Sequence, residues 1–430
     1  MKEPDTGDKT SFGATIGQLT GESLRDRDSA PAVARGPHVL RGMNEWALFE
    51  SVIRRGPISR TRLARETRLS KPTVYQSLAN LEQAGLIYEY GKAGGRGPGA
   101  TLYKVRASAA WILGIDMGRY YLRAALADIT GNIVSRTQRE VTGCNASRRI
   151  KVIEELAEQV VGAAGIRIDD ITHAVLGTPG VVDQNQSRVR LVPDIEGWED
   201  RELLTDLRSL LNPDATIDND INLAATGESL YGAGVGVSSF VLLSVGSGLG
   251  MGVVVDGAVH EGIHGTAGEI AYMPVPGSHS NGQEASVQED PEKSTILEDA
   301  VSARGVMALA RRLGMPEGID TQTIVQAALD GDPNANRVFD EQAELLASVV
   351  ATACVIIDPE LVVFGGWIGR NAELYLTRIA KRLSALVPFV PKLTVSTLGE
   401  DAVLLGAIAT GLPIARYKTF QRSTGRSQRD

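Results

Sequence analysis

Between residues 46 and 81 apolar side chains recur every three to four positions, interrupted twice by turn-forming residues. Trp46, Phe49, Val52 and Ile53 predict one helix, which Gly56-Pro57 ends. Ser59 is placed to cap a second, short helix that buries Leu63 and Ala64, and Ser70 to cap a third with Val74, Leu78 and Leu81 on one face. A short helix, a turn around Thr67–Leu69 and a capped third helix is helix-turn-helix spacing. The stretch LIYEYGKAGGRGPGATLYKVR then reads as two strands joined by a Gly-rich tip, the wing of a winged helix. Residues 1–37 lack periodicity and are expected to form a disordered arm.

From Trp111 the pattern changes to strands alternating with helices. WILGIDMG, YLRAALADITGN and IVSRTQREV predict three neighbouring strands, followed by a helix with Ile153, Leu156 and Val160 on one face. ITHAVLGTPGVVD and ATIDNDI add strands that end in polar loops. SFVLLSVGSGLGMGVVVDGAVHEG then repeats the opening: strand, glycine loop, strand, and a turn at Asp256-Gly257 where the first round has Asp128–Gly131. Two such rounds predict an internal duplication with a cleft between its halves. The fold class expected is mixed α/β.

A chain of 430 residues can hold two or three domains. No apolar run reaches the roughly 20 residues that span a bilayer, and the polar N-terminus does not read as a secretory leader. With Cys144 and Cys354 alone there is neither a disulfide framework nor a cysteine-rich metal cluster, so a cytoplasmic location is expected. The net charge of −8 hides an asymmetry. Residues 38–106 carry 12 Lys/Arg against 5 Asp/Glu, whereas residues 107–430 carry 27 against 41. A basic module on an acidic body suits an anionic partner for the module alone.

That partner is expected to be double-stranded DNA. Lys71, Thr73, Tyr75, Gln76 and Asn80 lie off the apolar stripe of the third helix, where they can meet phosphates or base edges in a major groove. Gln76 is expected to read a base. Arg60 and Ser70 complete the expected DNA-facing set, and Arg96 on the wing tip can enter a minor groove.

The body resembles the ROK family (repressors, open reading frames and sugar kinases) from about Trp111 to Tyr417. The resemblance rests on GTPGVVD (177–183), IDNDINLAATGE (217–228), SVGSGLGMGVVVDG (244–257), GTAGEIAY (265–272), LEDAVS (297–302) and DPELVVFGGWI (358–368). It implies a two-lobed, actin-like ATPase fold. A winged helix in front is the arrangement of the family's transcriptional regulators and is absent from its plain kinases. The expected division is an arm (1–37), a winged helix (38–106), a body (107–417) and a flexible tail (418–430). Lobe 1 would be about 107–225 plus 402–417, and lobe 2 about 226–401.

By the same resemblance Gly177, Pro179, Gly180, Asn219, Asp220, Glu269, Tyr272 and Glu298 line a sugar site. In family kinases the residue matching Asp220 is the general base on the accepting hydroxyl. On chemistry alone, Asn219 and Asp220 can equally cap the helix that follows them, and the turn at Gly177–Gly180 can be purely structural. Gly246, Gly248 and Gly250 can cradle a phosphate through backbone N–H groups or simply form a tight hairpin.

The pattern breaks in two places. Family kinases follow the Asp-x-Gly of the first phosphate loop, here Asp116 to Gly118, with Gly and Thr; Arg119 and Tyr120 stand there instead. Bulky side chains obstruct backbone approach to a triphosphate, so Asp116, Gly118 and the second loop are read as vestigial and ATP with Mg²⁺ is not expected. Zinc-bearing members place a His after GE-x-G, then a C-x-C-G-x-x-G-C cluster. Tyr272 holds the His position, no cysteine follows, and His264 and His279 do not rebuild a tetrahedral set, so no structural zinc or other cofactor is expected. The expected protein is a homodimeric or tetrameric regulator that reads an inverted repeat and senses a sugar or sugar derivative. The alternative is an ATP-dependent sugar kinase with a DNA-binding head.

Overall fold

The computed structural model describes residues 37–93, 99–183, 188–192, 195–200, 203–211, 214–275 and 296–425. The head begins with helix α1 (Pro37–Arg55), followed by α2 (Arg60–Thr67) and α3 (Lys71–Gln83). Ser59 caps α2 by accepting the Arg62 N–H, and Ser70 caps α3 by accepting that of Thr73 at 3.3 Å. Between the two, Arg68 takes a left-handed conformation (φ 57°) that turns the chain. Strands β2 (Ile87–Lys92) and β3 (Thr101–Val105) form the expected wing, whose tip at 94–98, with Arg96, lies outside the described residues. A two-residue strand β1 (Ile58–Ser59), too short to leave a periodic signal, pairs with β3 and gives the sheet order β1-β3-β2. Leu48, Phe49, Val52, Leu63, Val74, Leu78 and Leu81 fill the core between helices and sheet.

The body contains two five-stranded sheets of the same topology. In the first, β4 (Trp111–Met117) is flanked antiparallel by β5 (Tyr121–Asp128), then β6 (Ile133–Glu140). On its other side β7 (His173–Thr178) and β10 (Thr216–Asn219) run parallel, so the order is β10-β7-β4-β5-β6. In the second, β11 (Phe240–Val245), β12 (Leu249–Val255) and β13 (Ala258–Val259) form the antiparallel run, and β14 (Leu361–Gly365) and β15 (Lys392–Val395) the parallel one. The order β13-β12-β11-β14-β15 matches the first sheet strand for strand, which is the duplication read from the sequence. A small ribbon of β8 (Val181–Asp183) and β9 (Arg188–Arg190) extends the first half.

Helix α4 (Ala146–Ala163) packs on the first sheet and α5 (Leu203–Leu211) lies beside it. Helix α6 (Asp220–Tyr231) leaves β10 and reaches β12 of the second sheet. The second half adds α7 (Leu297–Val301), α8 (Ala303–Arg312), α9 (Thr321–Leu329), α10 (Pro333–Ile357) and α11 (Ala372–Leu383). The last helix, α12 (Ala402–Ser423), packs on β4, β7 and α6. Where α12 crosses α6 a Cβ on Gly406 would come within 1.8 Å of the Leu223 carbonyl, so only glycine permits that approach.

One expected boundary needs correction. The tail expected to be flexible from residue 418 is helical as far as Ser423, because Phe420 is buried against the Trp46 and Phe49 rings of the head, with centroids 5.2 and 6.1 Å away. Head and body also share one apolar cluster. Leu48, Phe49 and Tyr103 pack continuously with Ile112, Ala125, Leu404, Ile408, Leu412 and Phe420, so the head sits directly on the body. Among the described residues, no helix is long and apolar enough to cross a membrane.

Candidate functional site

On the head, α3 exposes Lys71, Tyr75 and Gln76. The remaining candidates are more constrained than spacing alone suggested. Ser70 and Thr73 hydroxyls bond each other at 2.8 Å over the cap, so the pair first serves the helix start. Arg60 lies over the Tyr75 ring (4.9 Å to its centroid) and donates from Nε to the Tyr103 hydroxyl at 2.7 Å, with Glu89 3.6 Å away. Arg60 therefore props Tyr75 from behind rather than projecting as a separate cation. Asn80 turns inward, donating to Glu45 on α1 at 2.6 Å, and Glu45 is 2% exposed. The Oδ1 of Asn80 accepts from the Gln76 amide at 3.1 Å. Asn80, expected among the residues able to meet phosphates or base edges, is engaged as a brace between α3 and α1.

In the body several of the expected sugar-site residues lie near one another: Asn219 beside Gly180, Asp220 near Glu269, and Glu269 near Glu298. Asn219 ends β10 and caps α6: its Oδ1 accepts the N–H groups of Ile221 and Asn222 at 2.9 and 3.0 Å. Its amide donates to the Gly180 carbonyl at 3.0 Å, tying the 177–180 turn to the helix start. The cap and the loop thus use most of Asn219, leaving one amide hydrogen for a ligand. The turn is packed tightly. A Cβ on Gly177 would meet Val403 of α12 at 2.8 Å, and Gly180 (φ +83°) has no room for one beside Val192 and Arg190. Behind the turn, Thr178 accepts a bond from the indole of Trp198 at 2.8 Å, Trp198 itself being fully buried.

Asp220, the first residue of α6, lies where the cleft is expected, among other acids. Burial, with Asp116 and Glu269 adding repulsion against a smaller pull from Arg119, pushes its carboxyl up to about 8. Glu269, next to the short 3₁₀ turn Ile270–Tyr272, is pushed up to about 7 by burial and by Glu298. Asp218 rises to about 7, through burial first and then Glu261. Asp116 and Glu269 thus act on Asp220, and Glu298 acts on Glu269. Carboxyls raised as Asp220 and Glu269 are can both donate to and accept from hydroxyls near neutral pH, which suits a polyol.

The two glycine loops meet the same cleft. Gly246 donates to the Gly248 carbonyl at 3.0 Å, closing a tight hairpin. A Cβ on Gly248 would lie 3.3 Å from Glu298 Oε2, and one on Gly250 2.8 Å from Ile221 of α6. Packing against Ile221 accounts for Gly250, whereas at Gly248 the Glu298 side chain alone would have to give. From the other half, Arg119 reaches over to the Ser247 carbonyl (3.5 Å), bridging the two loops with a side chain. Below it, cross-strand pairing sets Arg123 beside Asp116, and the guanidinium bonds Asp116 at 3.1 Å and Glu400 at 2.6 Å. Burial still leaves Asp116 raised to about 6.

Sequence reasoning missed three supports. Arg149 of α4 is buried and donates to the carbonyls of Gly118, Arg119, Val141 and Cys144, fixing the first loop. Its signal was present: position 149 falls on the apolar face shared by Val152, Ile153 and Leu156. Arg123 and Trp198 carried no such sign. Among the described residues, no three His, Cys, Asp or Glu side chains are grouped to hold a metal; His279 lies outside them.

Residues 112–411 match the ROK family, and residues 52–89 match the bacterial regulatory protein, arsR family. Over 394 residues the chain is 28% identical to the xylose repressor of Caldicellulosiruptor bescii, covering 86% of this chain and 96% of that one. It is 26% identical over 306 residues to the glucokinase of Thermotoga maritima, covering 69% and 95% respectively. A crystal structure of a ROK family transcriptional regulator, a homologue of the E. coli MLC protein, superposes with a TM-score of 0.71 at 23% identity. That superposition covers 90% of this chain and all of the other, so the fold extends through head and body together. The family match spans well over half of the chain, which belongs to the ROK family.

Proposed function

We propose that this protein is a DNA-binding repressor whose operator affinity is set by a sugar bound between its lobes, and that its body no longer transfers phosphate. The observation that carries the second half is Arg123 on Asp116, with Arg119 above it. Asp116 is the carboxylate that would orient Mg²⁺ in a kinase, and a guanidinium already neutralises it. The Arg119 side chain crosses the space where backbone N–H groups would face a triphosphate. These residues fit neither Mg²⁺ nor ATP.

The repressor half is supported by the capped α3 with its exposed Lys71, Tyr75 and Gln76, by the arsR-type match, and by full-length relatives named as xylose repressors. Xylose is accordingly the first effector to test. The reader acts as a homodimer or larger homo-oligomer on an inverted repeat. Helix α12 connects site to head. Val403 in its first turn abuts the sugar loop at Gly177, Gly406 crosses α6, and Tyr417 and Phe420 meet Trp46. From Val403 to Phe420 a helix spans about 26 Å. A sugar that prefers one arrangement of the Gly177 loop and Asp220 shifts this rod, and with it the head.

Selection of bound sequences from a random DNA pool by the purified protein tests the reading. It expects an enriched inverted repeat; no enrichment at moderate salt, together with sugar-dependent ADP release, would return the kinase alternative.

A further inference from the structure

Lys71, Pro72, Tyr75, Gln76 and Ala79 form the outward stripe of α3, all exposed and spaced to share one side of the helix. Tyr75 is the one ring in that stripe and is 59% exposed. An exposed side chain ordinarily changes rotamer freely; this one is held. The Arg60 guanidinium lies over its ring, 4.9 Å from the centroid, and over the ring of Tyr103 at 5.1 Å. The same guanidinium donates through Nε and Nη2 to the Tyr103 hydroxyl and lies 3.6 Å from Glu89. Tyr103 is buried, and its hydroxyl donates to Glu89 at 3.2 Å. A chain of contacts thus runs from the core of the wing, through Arg60, to a ring on the surface.

We propose that Tyr75 reads a thymine of the operator through its 5-methyl group, and that Arg60 positions the ring for this contact without touching DNA itself. The inference deepens the repressor reading and rests on it. A cation on the inner face leaves the outer face and the edge of the ring for a partner, and both are apolar apart from the hydroxyl. In a major groove the thymine methyl is the apolar feature that base pairs present, and it separates T·A from C·G. Ala79, one turn further along the stripe, is small enough to let the groove wall approach the ring. Gln76 follows directly and suits adenine, so the methyl belongs to a neighbouring base pair. Arg60 is engaged by two tyrosines and an acid, which fits a prop better than a phosphate clamp. A ring held before binding also loses less freedom when the DNA arrives.

Fluorescence anisotropy of the full chain on its selected operator tests the contact, with deoxyuridine replacing each thymine in turn in both half-sites. Deoxyuridine lacks only the methyl group. One buried methyl is worth about fourfold in affinity per half-site, so one such substitution should weaken wild-type binding about 15-fold. Tyr75→Phe should keep that loss, and Tyr75→Ala should bind both operators alike. Arg60→Leu should cut the loss to about threefold or less and leave the salt dependence of binding unchanged. A salt slope shallower by about 1 per head would make Arg60 a phosphate contact and overturn its positioning role. A Tyr75→Ala variant that still distinguishes the methyl, or a Tyr75→Phe variant that does not, would overturn the reading by the ring. A wild type that selects an operator but ignores every methyl overturns this contact and leaves the repressor standing. One that selects no operator overturns both.

Discussion

Removing the Phe420 ring should disconnect the head from the sugar cleft. Phe420 is 5% exposed and packs edge-on to Trp46 at 5.2 Å and stacked with Phe49 at 6.1 Å. Phe→Ala substitutions in cores cost about 3–5 kcal/mol. The last turn of a helix relaxes more easily than a core centre, which places Phe420→Ala near about 3 kcal/mol. At 1.4 kcal/mol per factor of ten, that is about a 150-fold rise in the population of undocked heads. Amide hydrogen exchange reads this directly: amides of α1 should exchange about 100-fold faster, while those of β4 and β7 stay near wild type. The α3 surface is untouched, so operator affinity without sugar should hold within a few-fold. Sugar-induced release of DNA should be lost. Unchanged exchange in α1, or a full sugar response despite fast exchange, would refute α12 as the connection.

Three further outcomes follow from the geometry. Gln76→Ala should relax base preference at one operator position, whereas Asn80→Ala should leave the preference intact and destabilise the head by about 1–3 kcal/mol, since it strips a partner from buried Glu45; binding selection with each variant, alongside thermal unfolding, checks both. Asn219→Ala removes a helix cap worth about 1 kcal/mol and the tie to Gly180, so it should lower thermal stability slightly and weaken sugar binding more, as calorimetry would measure. The pH dependence has a definite sign. Asp220, Asp218 and Glu269 hold protons in the folded state that they release when unfolded, so their contribution to the stability of the sugar-free protein falls as pH rises from about 4 toward 8. Asp220→Asn should flatten that fall by at most about 1.4 kcal/mol per pH unit in denaturant titrations, and an unchanged slope would contradict the acid cluster.

What the sequence disclosed depended on repeat and period. The duplicated strand–glycine–strand pattern foretold two sheets of one topology, and the caps at Ser59 and Ser70 foretold α2 and α3, because both signals are local. Phe420 was hidden since YKTFQRSTGRSQRD reads as a polar tail, and its burial depends on Trp46, almost the whole chain away. Arg123 became a partner of Asp116 only through strand register, which sequence spacing across a glycine loop does not fix. Asn80 misled for the opposite reason: its helix position is off the apolar stripe, but α1 closes over that side and supplies a buried acid. The candidate cleft was thus legible as a set of residue types, and its internal pairings were not.

The central claim is that a sugar in the cleft controls the grip of the head on DNA. Operator affinity, measured by fluorescence anisotropy while xylose and then other aldoses are titrated, tests it most directly. The account predicts that one sugar weakens operator binding at least about tenfold, that Glu298→Gln blunts the response, and that the protein releases DNA without consuming ATP. Operator binding indifferent to every sugar, with ADP formed when sugar and ATP are supplied, would contradict it.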